Sequence, residues 1–228
     1  MTKYQRQTRF LNAVDCIIFG FDGQHLKILL VKRWLEPKKD HWSLMGGFVQ
    51  PAESTDEAAT RVLKQLTGLD GVYLEQLHVF SAPDRDPLER TISTAYFALI
   101  DIHKYERQIS EEYHAEWFLL NEIPELIFDH PAMVAMAKER LKYKAAAHPI
   151  LFELLPEKFT LLQLMHLYEE ILGIEMDKSN FRRKILHMKL LVALDEKQQD
   201  VSHRAAQLYK FDSEIYEKLT QKGFNFEF

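Results

Sequence analysis

The segment from Gly46 to Leu69 constrains the fold more than any other part of this 228-residue chain. It opens with two adjacent glycines, and Ser54, a residue type that caps helix N-termini, follows them. Glu57 lies three positions after Ser54 and completes a capping box, in which the two residues satisfy each other's exposed backbone N–H groups. Gly68 is the residue type that ends helices in a left-handed conformation. The segment therefore predicts a glycine-containing loop followed by a helix over residues 54–67.

Short apolar segments on both sides of this helix predict a strand-rich first domain, with two helices packed against a sheet. Apolar runs bounded by turn residues are typical of strands. The first two strands are joined at Asp22-Gly23, a dipeptide that favours a hairpin turn. We expect strands over residues 13–19, 26–33, 73–80 and 91–102, a short element beginning at Trp117-Phe118, and a second helix from Asp129 to Tyr143.

Six residues of the first segment also match a longer pattern at its full spacing. They are Gly47, Glu53, Arg61, Leu63, Gly68 and Leu69. The stretch resembles the Nudix box, Gly-x5-Glu-x7-Arg-Glu-U-x-Glu-Glu-x-Gly-U with U aliphatic, and residues 42–49 resemble the loop that leads into that box. The resemblance implies a Nudix α/β/α sandwich with a mixed sheet.

The catalytic carboxylates of that pattern are missing. Where the Nudix enzymes carry three glutamates that hold magnesium and activate water, this sequence has Val62, Gln65 and Leu66. Magnesium requires oxygen ligands in near-octahedral geometry, and neither valine nor leucine offers an oxygen atom in its side chain. We therefore expect no catalytic residues, no metal and no cofactor, and we expect that the chain is not an enzyme.

After residue 147 the order of the predicted elements changes. Helices are expected over residues 161–172 and 178–191, separated at Gly173, and strands over 191–194 and 207–211 precede a final helix. Helix, helix and hairpin in this order is typical of a winged helix-turn-helix. The sequence thus predicts an α+β protein with two domains, residues 1–147 and 148–228, with residues 150–155 as a packed linker helix.

The charges favour a nucleic-acid partner for the second domain. The whole chain carries a net charge of −5, yet residues 178–210 hold eight basic and three acidic side chains. That segment is therefore +5 and the remainder of the chain −10. A basic island on an acidic protein favours local contact with phosphates. A solvated helix face would explain the same charges.

Several stretches together resemble the Nudix-related transcriptional regulators. They are residues 159–164, 168–173, 177–184 and 205–211 in the second domain, and Arg85-Asp86-Pro87, Arg90 and Phe128-Asp129-His130 in the first. The resemblance covers nearly the whole chain. It implies an effector-responsive repressor that acts as a homodimer on double-stranded operator DNA, with no membrane partner. The single cysteine, Cys16, excludes an internal disulfide framework and fits a cytoplasmic location.

The helix that begins at Lys178 is the expected DNA-recognition helix. Asp177 is placed to cap it, and Phe181 and Ile185 mark the face that packs inward. The opposite face has the size and charge to enter a major groove, and the loop 196–204 is the expected wing. Alternatively, the basic residues 182–184 pair with Glu169 and Glu170 on the preceding helix, Arg183 in particular. The expected DNA contacts are Lys178, Ser179, Asn180, Arg182, Arg183, Lys184, His187, Lys197, His203 and Arg204.

The effector-binding candidates combine aromatic side chains, which stack on sugar or base faces, with charged groups that bind hydroxyls. They are Arg33, Trp42, Phe48, Phe80, Arg85, Asp86, Arg90, Asp129 and His130. Structural roles are the alternatives: Trp42 as a core residue, Asp129 as a helix cap, and Arg85, Asp86 and Arg90 as a salt-bridged turn.

The resemblance implies two kinds of effector, because the family includes regulators that respond to ADP-ribose and regulators that respond to sugars such as L-arabinose. With the metal face lost, a pyrophosphate would need new positive charge, and the helix 54–67 offers only Arg61 and Lys64. A sugar effector, with control of carbohydrate metabolism, is therefore the main expectation. ADP-ribose, with control of NAD metabolism, is the alternative.

Two functions of other classes remain open at this stage. One is a Nudix hydrolase that uses relocated carboxylates, for which Glu53, Glu57 and Glu116 are the candidates. The other is a ligand-binding protein whose last domain contacts another protein rather than DNA.

Overall fold

A computed structural model describes residues 3–105, 108, 114–199 and 205–222. The described residues form two compact units. The first takes its residues from 1–19, 28–98 and 106–137, and the second from 20–27, 99–105 and 138–228. The chain passes into the second unit after Ala137, inside a long helix and upstream of the boundary predicted after residue 147.

Seven strands of the described chain form one sheet around a buried central strand. The order of the strands is β3-β2-β1-β6-β5, and in addition β4 pairs with β1 and β7 with β2. Every residue of β1 from Ala13 to Phe21 is buried, which places this strand in the interior of the fold. The strands are β1 (Leu11–Phe21), β2 (Leu26–Lys32), β3 (Trp42–Ser43), β4 (Met45–Phe48), β5 (Glu75–Phe80), β6 (Thr91–Asp101) and β7 (Ala115–Leu119).

The helix α1 (Thr55–Thr67) has the caps that the sequence predicts. The Ser54 hydroxyl accepts the N–H of Glu57, and the Glu57 carboxylate accepts the N–H of Ser54. Gly68 ends the helix with a φ of 78°, a conformation that is unstrained for glycine. The buried face of α1 includes Ala58 and Val62, and it packs against β4. The prediction of this helix is confirmed.

Two further helices are α2 (Ile102–Tyr105), which comes between β6 and β7 in the chain, and α3 (His130–Ala147), which follows β7. The prediction ended the second of them at Tyr143, but the helix continues for another turn. The extra turn contains Ala145, Ala146 and Ala147, and alanine has the highest helix propensity. Pro149 restricts the residue before it to extended conformations, which stops the helix. A 3-10 helix (Ile150–Leu154) occupies the predicted linker.

The second unit contains helices and strands in winged-helix order. They are β8 (Phe159–Thr160), α4 (Leu161–Leu172), α5 (Lys178–His187), β9 (Leu191–Lys197), β10 (Gln207–Phe211) and α6 (Ser213–Gln221). The three strands form a sheet in the order β8-β10-β9. Phe181 and Ile185 of α5 are buried, and the Phe181 ring contacts the ring of Tyr168 on α4 edge-on at 6.0 Å. The predicted inward face of α5 is confirmed.

The end of α5 differs from the prediction, which carried the helix to residue 191. The helix ends at His187, because Lys189 adopts a left-handed backbone conformation with a φ of 57°. This turn buries Leu190 and lets β9 begin at Leu191. In the described ranges no helix is both long enough and apolar enough to cross a membrane.

Candidate functional site

The first unit encloses a cavity of about 340 Å³ beside the Gly46-Gly47 loop. Its wall is formed by β1, the end of β2 with the loop that follows, β4, the last turns of α1, and the turn around Arg85. A volume of roughly 300–1,000 Å³ is usual for small-molecule sites. The cavity is therefore the candidate effector pocket.

A cluster of buried charged side chains forms one side of this cavity. Arg85 donates through Nε and Nη2 to the two carboxylate oxygens of Asp129, each at 2.8 Å. The same Nη2 lies 3.5 Å from Oδ2 of Asp15, and the Ser93 hydroxyl donates to that oxygen at 2.6 Å. The side chain of Arg85 is only 4% exposed and that of Asp15 only 7%. Because a buried charge needs compensation, Arg85 is fixed by two carboxylates at once.

His130 completes the cluster as a neutral side chain. The Leu44 N–H donates to Nδ1 of His130 at 3.2 Å, so Nδ1 accepts and the ring proton lies on Nε2. Nε2 is 3.5 Å from Oδ1 of Asp15. Burial lowers the pKa of His130 below its usual value, while the charges of Asp15 and Asp129 oppose this effect and Arg85 and Arg33 reinforce it. The result is a cluster in which the Ser93 hydroxyl donates to the Asp15 carboxylate and Arg85 and His130 each lie 3.5 Å from it at the cavity.

The two adjacent glycines bring the backbone of β4 close to this cluster. Gly46 pairs with Asp15 across β1 and β4, and a Cβ at this position would collide with the Asp15 carboxylate. A Cβ at Gly47 would lie 2.7 Å from Cγ2 of Val62 on α1. No other residue type fits either position without a shift of its neighbours, so the glycines shape the floor of the cavity.

The face of α1 that holds magnesium in the Nudix enzymes carries no carboxylate at positions 62, 65 and 66. Val62 is 2% exposed and lies against Gly47, while Gln65 and Leu66 line the cavity. In the part of the chain that the structure describes, no group of three or more His, Cys, Asp or Glu side chains is arranged to hold a metal ion. The donor set of the cavity therefore does not fit magnesium, which binds through carboxylate and other oxygen ligands.

The surviving carboxylates of the Nudix pattern have other partners. Arg61 donates to Glu53 through Nε at 2.8 Å and through Nη2 at 2.5 Å, and it also binds the Phe48 carbonyl at 3.0 Å. The hydrogen bonds from Arg61 lower the pKa of Glu53 to about 2. Glu57 belongs to the capping box, and Glu116, the third candidate for a relocated carboxylate, is exposed on β7. Glu53 and Glu57 are thus already engaged in hydrogen bonds that stabilise the α1 segment.

Five of the nine predicted effector residues lie on the cavity wall, namely Arg33, Phe48, Arg85, Asp86 and His130. Asp129 supports the wall through its two hydrogen bonds with Arg85. The Asp129 carboxylate therefore pairs with Arg85, while the Asp129 carbonyl accepts the N–H groups of Ala132 and Met133 in the first turn of α3.

Trp42, Phe80 and Arg90 are not among the described residues that line the cavity. Trp42 is half-buried, with its ring 4.7 Å from that of Phe118 and the Lys32 ammonium 5.0 Å from its centre. Phe80 packs edge-on against His78. Arg90 donates to the Ala82 carbonyl and lies over the Phe10 ring.

Sequence reasoning missed Asp15 and Trp34, both of which line the cavity. Asp15 stands alone in an otherwise apolar strand, and a lone charge within a buried run is a detectable signal because it requires a partner. Trp34 follows Arg33 in a loop, where no periodicity marks it.

The outer face of α5 carries the predicted DNA-reading residues. Lys178, Ser179, Asn180, Arg182, Arg183, Lys184 and His187 are all exposed. The Asp177 side chain caps the helix by accepting the N–H of Asn180 at 2.8 Å. Arg183 donates to Oδ1 of Asn180, also at 2.8 Å, and Glu169 accepts the N–H of Met176 instead of a guanidinium group. The alternative in which Arg183 pairs with α4 is therefore not observed for Glu169.

The expected wing is only partly described. Lys197 is exposed at the end of β9, opposite Gln207 of β10. His203 and Arg204 lie outside the described residues. The exposed cations on α5 and β9 form a surface suited to the phosphates of DNA.

Comparisons with known protein families match both parts of the chain. The model of the NUDIX domain matches residues 9–138, and that of the NrtR DNA-binding winged helix domain matches residues 151–211. The predicted fold class, a Nudix domain with a mixed sheet followed by a winged helix, is confirmed.

Individual relatives agree with these matches. The ADPR responsive transcriptional repressor NtrR of Acinetobacter baylyi is 36% identical over 211 residues, which span 91% of this chain and 84% of the repressor. The ADP-ribose pyrophosphatase of Methanocaldococcus jannaschii is 36% identical over 145 residues, or 63% of this chain and 80% of the enzyme.

Solved structures of Shewanella oneidensis NrtR match as well. Its complex with a 27mer DNA superposes with a TM-score of 0.77 at 30% identity, covering 94% of this chain and 96% of NrtR. Its NUDIX domain in complex with ADP ribose superposes with a TM-score of 0.52 at 28% identity, covering 62% of this chain and 99% of that domain. Together with the two family matches, these likenesses show that the chain belongs to the NrtR-like family of effector-responsive transcriptional repressors, in which a Nudix domain precedes a DNA-binding winged helix.

Proposed function

We propose that this chain is an ADP-ribose-responsive repressor that binds ADP-ribose in its Nudix cavity without hydrolysing it. The observation that carries the proposal is a cavity that keeps polar and basic groups while positions 62, 65 and 66 of α1 offer no carboxylate. The names of two relatives support the choice of ligand, because one is an ADPR responsive repressor and another contains a NUDIX domain solved with ADP ribose.

The main expectation from the sequence, a sugar such as L-arabinose, has no support among these relatives. It rested on the lack of positive charge in α1 for a pyrophosphate. The positive charge of the cavity instead comes from the end of β2, where Lys32 and Arg33 line the wall. Both Nη groups of Arg33 lack hydrogen-bond partners among the described residues, and a guanidinium group binds phosphate oxygens well.

We also propose that the Nudix domain has no hydrolase activity. Val62, Gln65 and Leu66 cannot replace the three glutamates of the Nudix enzymes, and Glu53 and Glu57 are held by Arg61 and Ser54. ADP-ribose incubated with the purified protein and Mg²⁺ should remain intact by chromatography. Magnesium-dependent turnover that is lost in the Glu53→Gln variant would contradict the proposal and establish the hydrolase alternative suggested by the pyrophosphatase relative.

The winged helix supplies the second half of the proposal. Two copies of the chain would present α5 to successive major grooves of a palindromic operator, with the recognition helices about 34 Å apart. A homodimer and a cytoplasmic location, where the bacterial chromosome lies, are thus parts of the same proposal. The wing residues Lys197, His203 and Arg204 would contact the DNA backbone.

Fluorescence anisotropy on a labelled fragment of the protein's own promoter region tests this function. The protein should bind the fragment at moderate salt, and ADP-ribose should change the apparent affinity while L-arabinose leaves it unchanged. An apparent affinity for the fragment that ADP-ribose does not change would contradict the effector assignment. If the protein does not bind the fragment at all, a protein partner for the second domain is favoured instead.

A further inference from the structure

The loop after β2 places a large aromatic side chain at the mouth of the cavity. Trp34 lines the cavity and is 69% exposed. Phe48 also lines the cavity and is 51% exposed. Exposed aromatic side chains grouped at a cavity are typical of binding sites, because their apolar faces gain free energy when a ligand covers them.

The position of Trp34 is fixed by its neighbours in the chain. Arg33 donates through Nε to the carbonyls of Leu35 at 2.9 Å and Pro37 at 2.8 Å, so its guanidinium group closes the loop around Trp34. The backbone of Arg33 also bonds on both sides, to the His41 carbonyl at 2.9 Å and from the Asp40 N–H at 2.7 Å. The Arg33 guanidinium lies over the Phe128 ring at 5.4 Å. The loop therefore presents Trp34 without having to order itself when a ligand binds.

The chemistry of the cavity changes from its buried side to its mouth. The buried side carries Asp15, Arg85 and His130, which suit hydroxyl groups and charged oxygens. The mouth carries Trp34 and Phe48, which suit an uncharged planar group. A ligand with a polar phosphoribose portion and a flat aromatic portion matches this order.

We infer that Trp34 determines effector specificity by stacking on the adenine base of the bound nucleotide, with Phe48 as a second apolar contact. This inference rests on the proposed binding of ADP-ribose and adds to it the orientation of the ligand, with the base at the mouth and the terminal ribose toward the buried charges. It also predicts that the protein discriminates against ligands that lack a base.

Isothermal titration of the full-length chain tests the inference with two ligands, ADP-ribose and ribose 5-phosphate. Replacing Trp34 by alanine should weaken ADP-ribose binding roughly 5- to 150-fold, the range for loss of one base–aromatic stack. The same change should leave the affinity for ribose 5-phosphate unaltered, and Trp34→Phe should bind ADP-ribose nearly as the wild type does. Leu88→Ala, at another residue that is 71% exposed but outside the cavity, is the matched control.

Tryptophan fluorescence gives a second readout that does not require binding of ribose 5-phosphate. ADP-ribose should quench the emission of the wild type and of Trp42→Phe, whereas Trp34→Phe should bind ADP-ribose without that quenching. An unchanged affinity in Trp34→Ala, or quenching that survives in Trp34→Phe, would overturn the inference. If the wild type itself does not bind ADP-ribose, the proposed function fails before the variants are compared.

Discussion

Replacing Asp15 by asparagine should destabilise the first unit by about 3 kcal/mol. Asp15 and Arg85 are both buried, and removing one partner of a buried ion pair costs roughly 3–5 kcal/mol because the other charge loses its compensation. The lower end applies here, since Asp129 still binds Arg85 through two hydrogen bonds of 2.8 Å. Asparagine also keeps an oxygen that accepts the Ser93 hydroxyl, so the shape of the site is preserved.

Thermal unfolding followed by circular dichroism measures this cost. In a protein of this size, 1 kcal/mol shifts the melting temperature by roughly 2–4 °C, so the Asp15→Asn variant should melt about 6–12 °C below the wild type. Asp70→Asn is the matched control, because Asp70 also pairs with a cation, Lys64, but both side chains are more than half exposed. Its melting temperature should stay close to that of the wild type, as expected for a surface ion pair.

A double-mutant cycle separates the charge effect from a change in packing. If the cost of Asp15→Asn arises from the uncompensated Arg85 charge, adding Arg85→Met should cost less than the sum of the two single changes. Costs that add within about 0.5 kcal/mol, or an Asp15→Asn variant as stable as the wild type, would refute this account of the cluster.

Four other substitutions probe the rest of the molecule. Arg182→Ala and Arg183→Ala should each weaken operator binding and lower the slope of log affinity against log salt by about 1, whereas Lys142→Ala, outside the winged helix, should not; equal slopes in anisotropy titrations would favour a protein partner instead. The lowered pKa of Glu53, about 2, means that its pairing with Arg61 stabilises the fold above pH ~4.3 and loses this effect as the pH falls toward 2. Urea unfolding should therefore show a deficit for Glu53→Gln at pH 7 that shrinks below pH ~4.3, and a constant deficit would contradict the pairing. Burial lowers the pKa of His130, so the unfolded chain takes up a proton that the folded chain excludes, and stability should fall as the pH drops below ~6.5. His130→Asn should show a weaker decrease over the same pH range, and an identical pH dependence would show that His130 does not cause it.

The parts of the fold that the sequence predicted well depend on local interactions. The caps at Ser54, Gly68 and Asp177 each involve a side chain or a backbone angle and residues within four positions, so the pattern alone identifies them. The winged-helix order and the buried face of α5 follow from periodicity in the same way. Where local geometry departs from the pattern, as at Lys189 with its left-handed backbone, the predicted end of the helix was wrong.

The candidate site was less predictable, because its residues come from distant parts of the chain. Asp15, Ser93, Arg85 and Asp129 meet only when β1, β6 and the loops around them are assembled. The expectation of a sugar effector rested on an incomplete count of charge, for a related reason. It counted only the charges of α1, whereas Lys32 and Arg33, which also line the cavity, belong to the end of β2 and the loop after it.

The packing of Val62 against Gly47 has a consequence for how this protein can evolve. A glutamate at position 62 alone would place an anion where the present side chain is 2% exposed and packed close to Gly47. Positions 65 and 66 would still lack the other two carboxylates of the Nudix pattern, so this single change would cost stability without completing a set of magnesium ligands. Substitutions in the exposed loop that carries Trp34 do not carry this cost in stability, because they leave the core intact. Under the proposed function, substitutions in this loop therefore change the bound ligand at a lower cost in stability than a change of Val62 to glutamate would carry.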